Sequence, residues 1–317
     1  MADEHAGQGP QARVSLGPSD VDYGVQWKHA TDGLSLSAVL ADDCPADAIE
    51  DGVGHQRLGR VSVVTLALPE ALNALRYASW RRISALCEDI EAASEVRAVI
   101  VRGAGKRAFG AGADISEFPA LRSTARQALV YNGAIRAALE GLMRLSVPVV
   151  AMVRGFAVGG GCELAAACDV RVADATARFG IPVGRLGVTL GVTEANAVAR
   201  LIGPAALKYL LFSGRLIDAD EAARLGLVQV VVDSEQLIPE TVALIAAIVS
   251  SSEVTMRAAK VVTQMCERPL TADDAEQLTR TATEAYDGPD LKEGVAAFLE
   301  RRTPHFTMER NRSDGGS

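Results

Sequence analysis

The chain has 317 residues and a formal net charge of -8, from 32 Lys+Arg against 40 Asp+Glu. Hydrophobic residues at 49% and charged residues at 23% exclude a wholly disordered chain. The acidic balance argues against nucleic acid as the main partner, and 4% aromatics leave little for a base- or sugar-stacking surface.

The acidity is concentrated at the start. Residues 1–51 hold ten acids and two bases, Arg13 and Lys28, which is the whole surplus, and the remainder balances at 30 against 30. This break predicts an acidic, flexible leader over residues 1–51, with Leu34–Leu40 as its one apolar patch and a docking segment as the other reading. Arg60–Leu68 (RVSVVTLAL) is β-branched and reads as a strand ended by Pro69. Trp80, Ile83, Cys87 and Ile90 then recur at helical spacing, Ala98–Val101 is a buried strand, and a second helix is predicted across 121–144. Pro148–Val153 is a further strand that enters Gly159-Gly160-Gly161 and an apolar helix, and Leu227–Val232 is the last strand. Alternating strands and helices predict an α/β core over 52–250. Residues 251–317 are predicted as a helical region with a short polar tail. There Leu291, Val295, Phe298 and Leu299 form one apolar stripe, for the core or for a subunit interface.

The five cysteines lack CxxC spacing, so neither a disulfide framework nor a zinc site is expected. The four histidines are His5, His29, His55 and His305, so a histidine-activated nucleophile built within 56–304 is excluded. No apolar run reaches the roughly 18 residues of a membrane span. The start MADEHAGQGP lacks the apolar core of a secretory signal, and the expected location is cytoplasmic.

The glycine runs carry the chemistry. Gly103–Ala108 follows a strand and matches a dinucleotide fingerprint, but Gly110 and Gly112 would spoil the helix that such a site needs. A different use fits better. Two strands each run into a glycine turn that opens a helix, at Gly112-Ala113 and at Gly159-Gly160-Gly161, and backbone N–H groups converging there would hold an oxyanion. Glu163 lies three residues past Gly160, among Leu164, Ala165, Ala166 and Ala167. Its surroundings are wrong for a solvated helix cap and suit a catalytic acid.

At these residues the sequence resembles the enoyl-CoA hydratase/isomerase (crotonase) superfamily. The matching stretches are PEALNAL (69–75), VRAVIVRGAGKRAFGAGADI (96–115), GFAVGGGCELAAACDVRVA (155–173), SGRLIDADEAARLGLVQVVV (213–232) and EGVAAFLERRTPHF (293–306). The resemblance implies a crotonase-like spiral of ββα repeats with a C-terminal α-helical region, assembled as a homotrimer or a hexamer of paired trimers. It implies an acyl-CoA thioester substrate, coenzyme A being part of that substrate, with no separate cofactor and no metal. The peptide N–H groups of Ala113 and Gly160 would bind the thioester oxygen, and Glu163 would be the catalytic glutamate. Ala111, Gly112, Asp114, Ile115, Val183 and Gly191 would complete the acyl-CoA site, with the backbone of Ala111 toward the adenine.

Three departures bear on the chemistry. The second glutamate of hydratases follows F-G-x-P, and here Phe179-Gly180-Ile181-Pro182 precedes Val183. A further family position, an aspartate in dienoyl-CoA isomerases, falls on Gly191, and the basic residue after GADI is Ser116. With Val183 the proton work falls on Glu163 in a drier pocket, so hydration is expected to be slow. Hydration of a 2-enoyl-CoA and double-bond isomerisation both remain open. The alternatives are thioester hydrolysis or decarboxylation on the same fold, and a non-catalytic acyl-CoA binder. Glu194 is either a solvated helix residue or an acid turned inward to replace the missing one.

Overall fold

The computed structural model describes residues 35–42 and 44–306. Helix α1 (Leu36–Ala41) precedes three antiparallel strands, β1 (Ile49–Glu50), β2 (Val53–Leu58) and β3 (Val61–Leu66). After α2 (Tyr77–Ala92) the chain makes one unit three times: a longer strand, a three-residue strand, then a helix. The first unit is β4 (Ala98–Gly103), β5 (Ala108–Gly110) and, past the short α3 (Phe118–Leu121), α4 (Ala125–Arg144). The second is β6 (Val149–Val153), β7 (Phe156–Val158) and α5 (Gly160–Ala167). The third is β8 (Val170–Asp174), β9 (Arg178–Gly180) and α6 (Val192–Ser213). Strand β10 (Ile217–Asp218), α7 (Ala219–Arg224) and β11 (Val230–Val232) complete the sheets. Helices α8 (Leu237–Ser250), α9 (Glu253–Met265), α10 (Ala272–Asp287) and α11 (Pro289–Glu300) follow.

The longer strands join one seven-stranded sheet in the order β1-β2-β3-β4-β6-β8-β11, parallel from β3 onward. The short strands stack beside it in a second sheet, β10-β9-β7-β5. Each unit therefore climbs one step in both sheets, which is the spiral of ββα repeats.

Strands β3, β4 and β6 of the large sheet are buried on both faces, which explains their unbroken apolar runs. Val63, Ile100, Val150 and Val170 pair across four strands and face α1 and α8. Alternate residues such as Val64, Val101 and Ala151 face Trp80, Leu139 and Leu164 on α2, α4 and α5. Gly103–Ala108 turns into strand β5 and opens no helix, so the dinucleotide pattern has no structural counterpart.

The leader needs correction over its last part. Leu36, Val39 and Leu40 of α1 are buried against the outer sheet face beside Ile245 and Val249 of α8. Ser35 caps the helix by accepting from the Ala38 N–H at 3.2 Å. Arg102, at the end of β4, donates Nη1 to the Leu40 carbonyl at 2.8 Å and Nη2 to that of Asp42 at 2.6 Å. The apolar patch thus outweighs the acidic composition around it, and residues 35–42 belong to the folded body, as do residues 44–51, which bring the buried Cys44 and strand β1. The rest of the predicted leader before residue 35 lies outside the described residues.

Candidate active site

The site forms where the second repeat meets the first. Helix α5 opens on Gly159-Gly160 with no side-chain cap, so the Gly160 N–H has no partner among the described residues. Across from it, Gly112 adopts a left-handed φ of +97°, a conformation that a side chain rarely tolerates. The Leu75 N–H donates to the Gly112 carbonyl at 2.7 Å, and the Asp114 N–H donates to the Leu75 carbonyl at 2.9 Å. Because a ladder alternates direction, this bridge turns the intervening Ala113 N–H away from Leu75, toward α5. The two donors are neighbours: a Cβ on Gly112 would lie 3.5 Å from Gly160 N, and one on Gly160 would lie 3.8 Å from Ala113 N. A Cβ on Gly160 would also meet Trp80 Cζ2 at 2.7 Å, so the indole of α2 closes this corner only because position 160 has no side chain.

The first glycine turn departs from expectation in one respect. It leads into a short 3₁₀ turn, Ile115–Glu117, rather than directly into a helix. The Asp114 carboxylate caps that turn, accepting from the Ser116 N–H at 3.0 Å and its hydroxyl at 2.6 Å, with Arg76 Nε at 3.5 Å.

The far end of α5 is anchored by cations, as suits carbonyls at a helix C-terminus. Arg171, buried on β8, donates Nη1 to the Cys168 carbonyl at 2.7 Å and Nε to that of Leu227 at 2.6 Å. Arg200 donates Nη2 to the Ala166 carbonyl at 3.1 Å. These bonds fix the axis of α5, and with it the placement of its first turn.

Glu163 lies on that turn with 5% exposure, between the buried Cys162 and Leu164. Its carboxyl accepts no hydrogen bond among the described residues. Burial pushes its pKa up to about 8, the negative charge of Glu194 adds to the rise, and Arg122 opposes it. Desolvation outweighs the favourable helix N-terminus.

Glu163 opens onto a cavity of about 290 Å³. Of the residues expected there, Ala111, Gly112, Ala113, Ile115, Gly160, Glu163 and Val183 line it. Asp114 does not, being occupied as a cap, and neither does Gly191, which is the N-cap of α6. Glu194 is on the wall and 5% exposed, not solvated. Sequence reasoning missed Trp80, whose spacing is that of a core residue, and Arg122, which no pattern marks. Arg122 is held by stacking 4.9 Å from the Phe118 ring centroid and 5.1 Å from that of Tyr131. It donates Nη2 to Asn132 Oδ1 at 2.7 Å. Among the described residues no three His, Cys, Asp or Glu side chains are grouped to hold a metal ion.

Comparison with known proteins adds an independent line. The model of the enoyl-CoA hydratase/isomerase family matches residues 57–309. A short-chain-enoyl-CoA hydratase of Clostridium acetobutylicum is 38% identical over 250 residues, 78% of this chain and 94% of that protein. A crotonyl-CoA hydratase of Syntrophomonas wolfei is 34% identical over 251 residues, again 78% and 94%. The crystal structure of an enoyl-CoA hydratase/carnithine racemase from Magnetospirillum magneticum has a TM-score of 0.78 at 36% identity, covering 82% of this chain and 96% of that one.

Proposed function

Since the chain belongs to the enoyl-CoA hydratase/isomerase family, we propose that it is an enzyme acting on the thioester of an apolar 2-enoyl-CoA, adding water across the double bond or moving that bond. The observation that carries this reading is the meeting of two N–H groups, unpartnered among the described residues, and one buried, proton-holding glutamate in a single apolar cavity.

The chemistry follows from that meeting. The Ala113 and Gly160 N–H groups receive the thioester oxygen, and as negative charge builds there each donor contributes about 3 kcal/mol of transition-state stabilisation. The resulting enolate needs a proton at carbon. Glu163, protonated below about pH 8, has one to give and afterwards can take one back. Ile115, Phe118, Ile135, Val183, Leu186 and Leu190 surround the acyl chain with apolar walls. Coenzyme A enters as part of the substrate, so the reaction requires no separate cofactor.

Copies of the chain are further proposed to assemble as trimers. Phe298 at 82% exposure, Leu299 at 74% and Tyr286 at 71% surround an apolar groove between α9, α10 and α11 that a neighbour would cover.

The test is direct. Mixing the protein with a 2-enoyl-CoA should remove the ultraviolet absorbance of the conjugated thioester, and a 3-enoyl-CoA should acquire it if the double bond moves. Binding without either change would leave a non-catalytic acyl-CoA binder.

A further inference from the structure

We infer that Glu194 is the second proton-transfer residue of this cavity, supplying from the first turn of α6 the carboxylate that Val183 lacks; the inference rests on the role given above to Glu163.

The first turn of α6 has its polarity inverted. Val192 is 87% exposed while Glu194, two residues on, is 5% exposed. A helix placed by hydrophobicity alone would do the opposite. Glu194 lies on the wall that Glu163 also lines, and its charge acts on Glu163. A glutamate at the third helical position commonly folds back onto the N-cap N–H. Here no such bond forms: among the described residues the Glu194 carboxylate accepts no hydrogen bond, from Gly191 or any other group. A buried carboxylate without a partner is costly and calls for a functional explanation.

One neighbour leaves room for it, and another fixes the turn that carries it. A Cβ on Gly191 would lie 2.3 Å from Glu194 Oε2 and 2.8 Å from its Cδ, so the carboxylate occupies space that only glycine leaves free. Gly191 has φ −78° and ψ 166°, ordinary extended backbone, so the missing side chain rather than any strain is what position 191 contributes. Beside it the Thr193 hydroxyl donates to Glu140 Oε1 at 3.2 Å, tying the first turn of α6 to α4. Arg122 and Arg185 are the cations on the same wall.

Burial first, and then the charge of Glu194, keep the proton on Glu163 below about pH 8. With the proton on Glu163, the Glu194 carboxylate takes a proton from water as the water oxygen bonds to Cβ. The π pair of the double bond moves toward the thioester, whose oxygen is held by Ala113 and Gly160. Glu163 then gives its proton to Cα, completing a 3-hydroxyacyl thioester. The pair still holds one proton, now on Glu194, and its return to Glu163 resets the site. This division of labour assigns the cavity to hydration rather than to a one-acid proton shuttle.

The experiment compares full-length variants on crotonyl-CoA, with the saturated butyryl-CoA as binding probe. Glu194→Gln should lower kcat for hydration by about 100-fold or more, with KM and butyryl-CoA affinity close to parental and Tm at or above the parental value. Glu194→Asp should recover part of the loss. Gly191→Ala, which pushes the carboxylate aside while Glu194 remains, should lower kcat as well, and it decides the matter if Glu194→Gln does not fold. Parental kcat in Glu194→Gln overturns the inference, as does a loss matched by equal loss of butyryl-CoA binding. Should Glu194→Gln stay active while Glu163→Gln is dead, Glu194 alone loses its role; a fully active Glu163→Gln would instead overturn the reading of Glu163.

Discussion

At the scale of single residues, Glu163 shows function set against stability. Its pKa of about 8 lies above the usual 4.5, so over that window the folded chain holds a proton that the unfolded chain has released. Stability therefore falls as pH rises from about 4.5 to about 8, and the full cost persists above that. Glu163→Gln removes the cost and, with it, the proton transfer proposed for this side chain. We expect kcat to fall by about 10²–10⁴-fold with acyl-CoA affinity nearly unchanged. The same variant should melt higher than the parent, by a larger margin at about pH 8.5 than at about pH 5. Near-parental turnover, or a melting difference that does not grow with pH, would remove the buried-acid explanation.

At the scale of elements, α5 and α1 each carry a prediction. Gly160→Ala would place a methyl 2.7 Å from Trp80 Cζ2, so the first turn of α5 must shift and the Gly160 N–H with it. The loss of one anion-holding donor is expected to lower kcat by about 10²–10³-fold. Thermal melting checks that the fold survives, and unchanged kcat in a stable variant would show that this N–H does not meet the developing charge. Helix α1 bears on stability rather than chemistry. A chain shortened to begin at Cys44 keeps β1 but loses Leu36, Val39 and Leu40 from the outer sheet face and removes the carbonyls of Leu40 and Asp42 from Arg102. At about 1.5–3 kcal/mol for each large apolar side chain, about 4.5–9 kcal/mol of stability should disappear. Denaturant titration of the two chains measures this, and equal midpoints would mean that α1 contributes nothing.

At the scale of the whole molecule, the C-terminal helices join the core through a few buried polar links. Lys260 of α9 donates Nζ to Asp169 Oδ2 at 2.8 Å and to the Val147 carbonyl at 3.1 Å. Arg97 pairs with Glu253 at 3.1 Å. Beyond these links α10 and α11 turn large apolar side chains outward. Sedimentation at micromolar concentration should therefore give an oligomer, and Phe298→Asp with Leu299→Asp should dissociate it. A monomeric parent protein would end the trimer proposal.

The sequence by itself marked the alternation of long strands and helices and set two glycine turns and Glu163 beside helix starts, while the ββα repeat came only with the family resemblance. Unbroken β-branched runs such as Arg60–Leu68 and Pro148–Val153 are strands buried on both faces, and local pattern suffices to mark them. Glycines 112 and 160 and the acid at 163 were readable because backbone conformation and helix position are local properties. The three-residue strands β5, β7 and β9 were not readable, since so short a run has no period. Nor could composition place α1: three buried side chains in an acidic segment matter only once a sheet face is there to receive them. Tertiary structure alone placed Trp80, Arg122 and Glu194 on one cavity wall, because they come from different elements. The side of α6 that turns inward is set by what packs around it, so Val183 announced a missing carboxylate while only the fold supplied another.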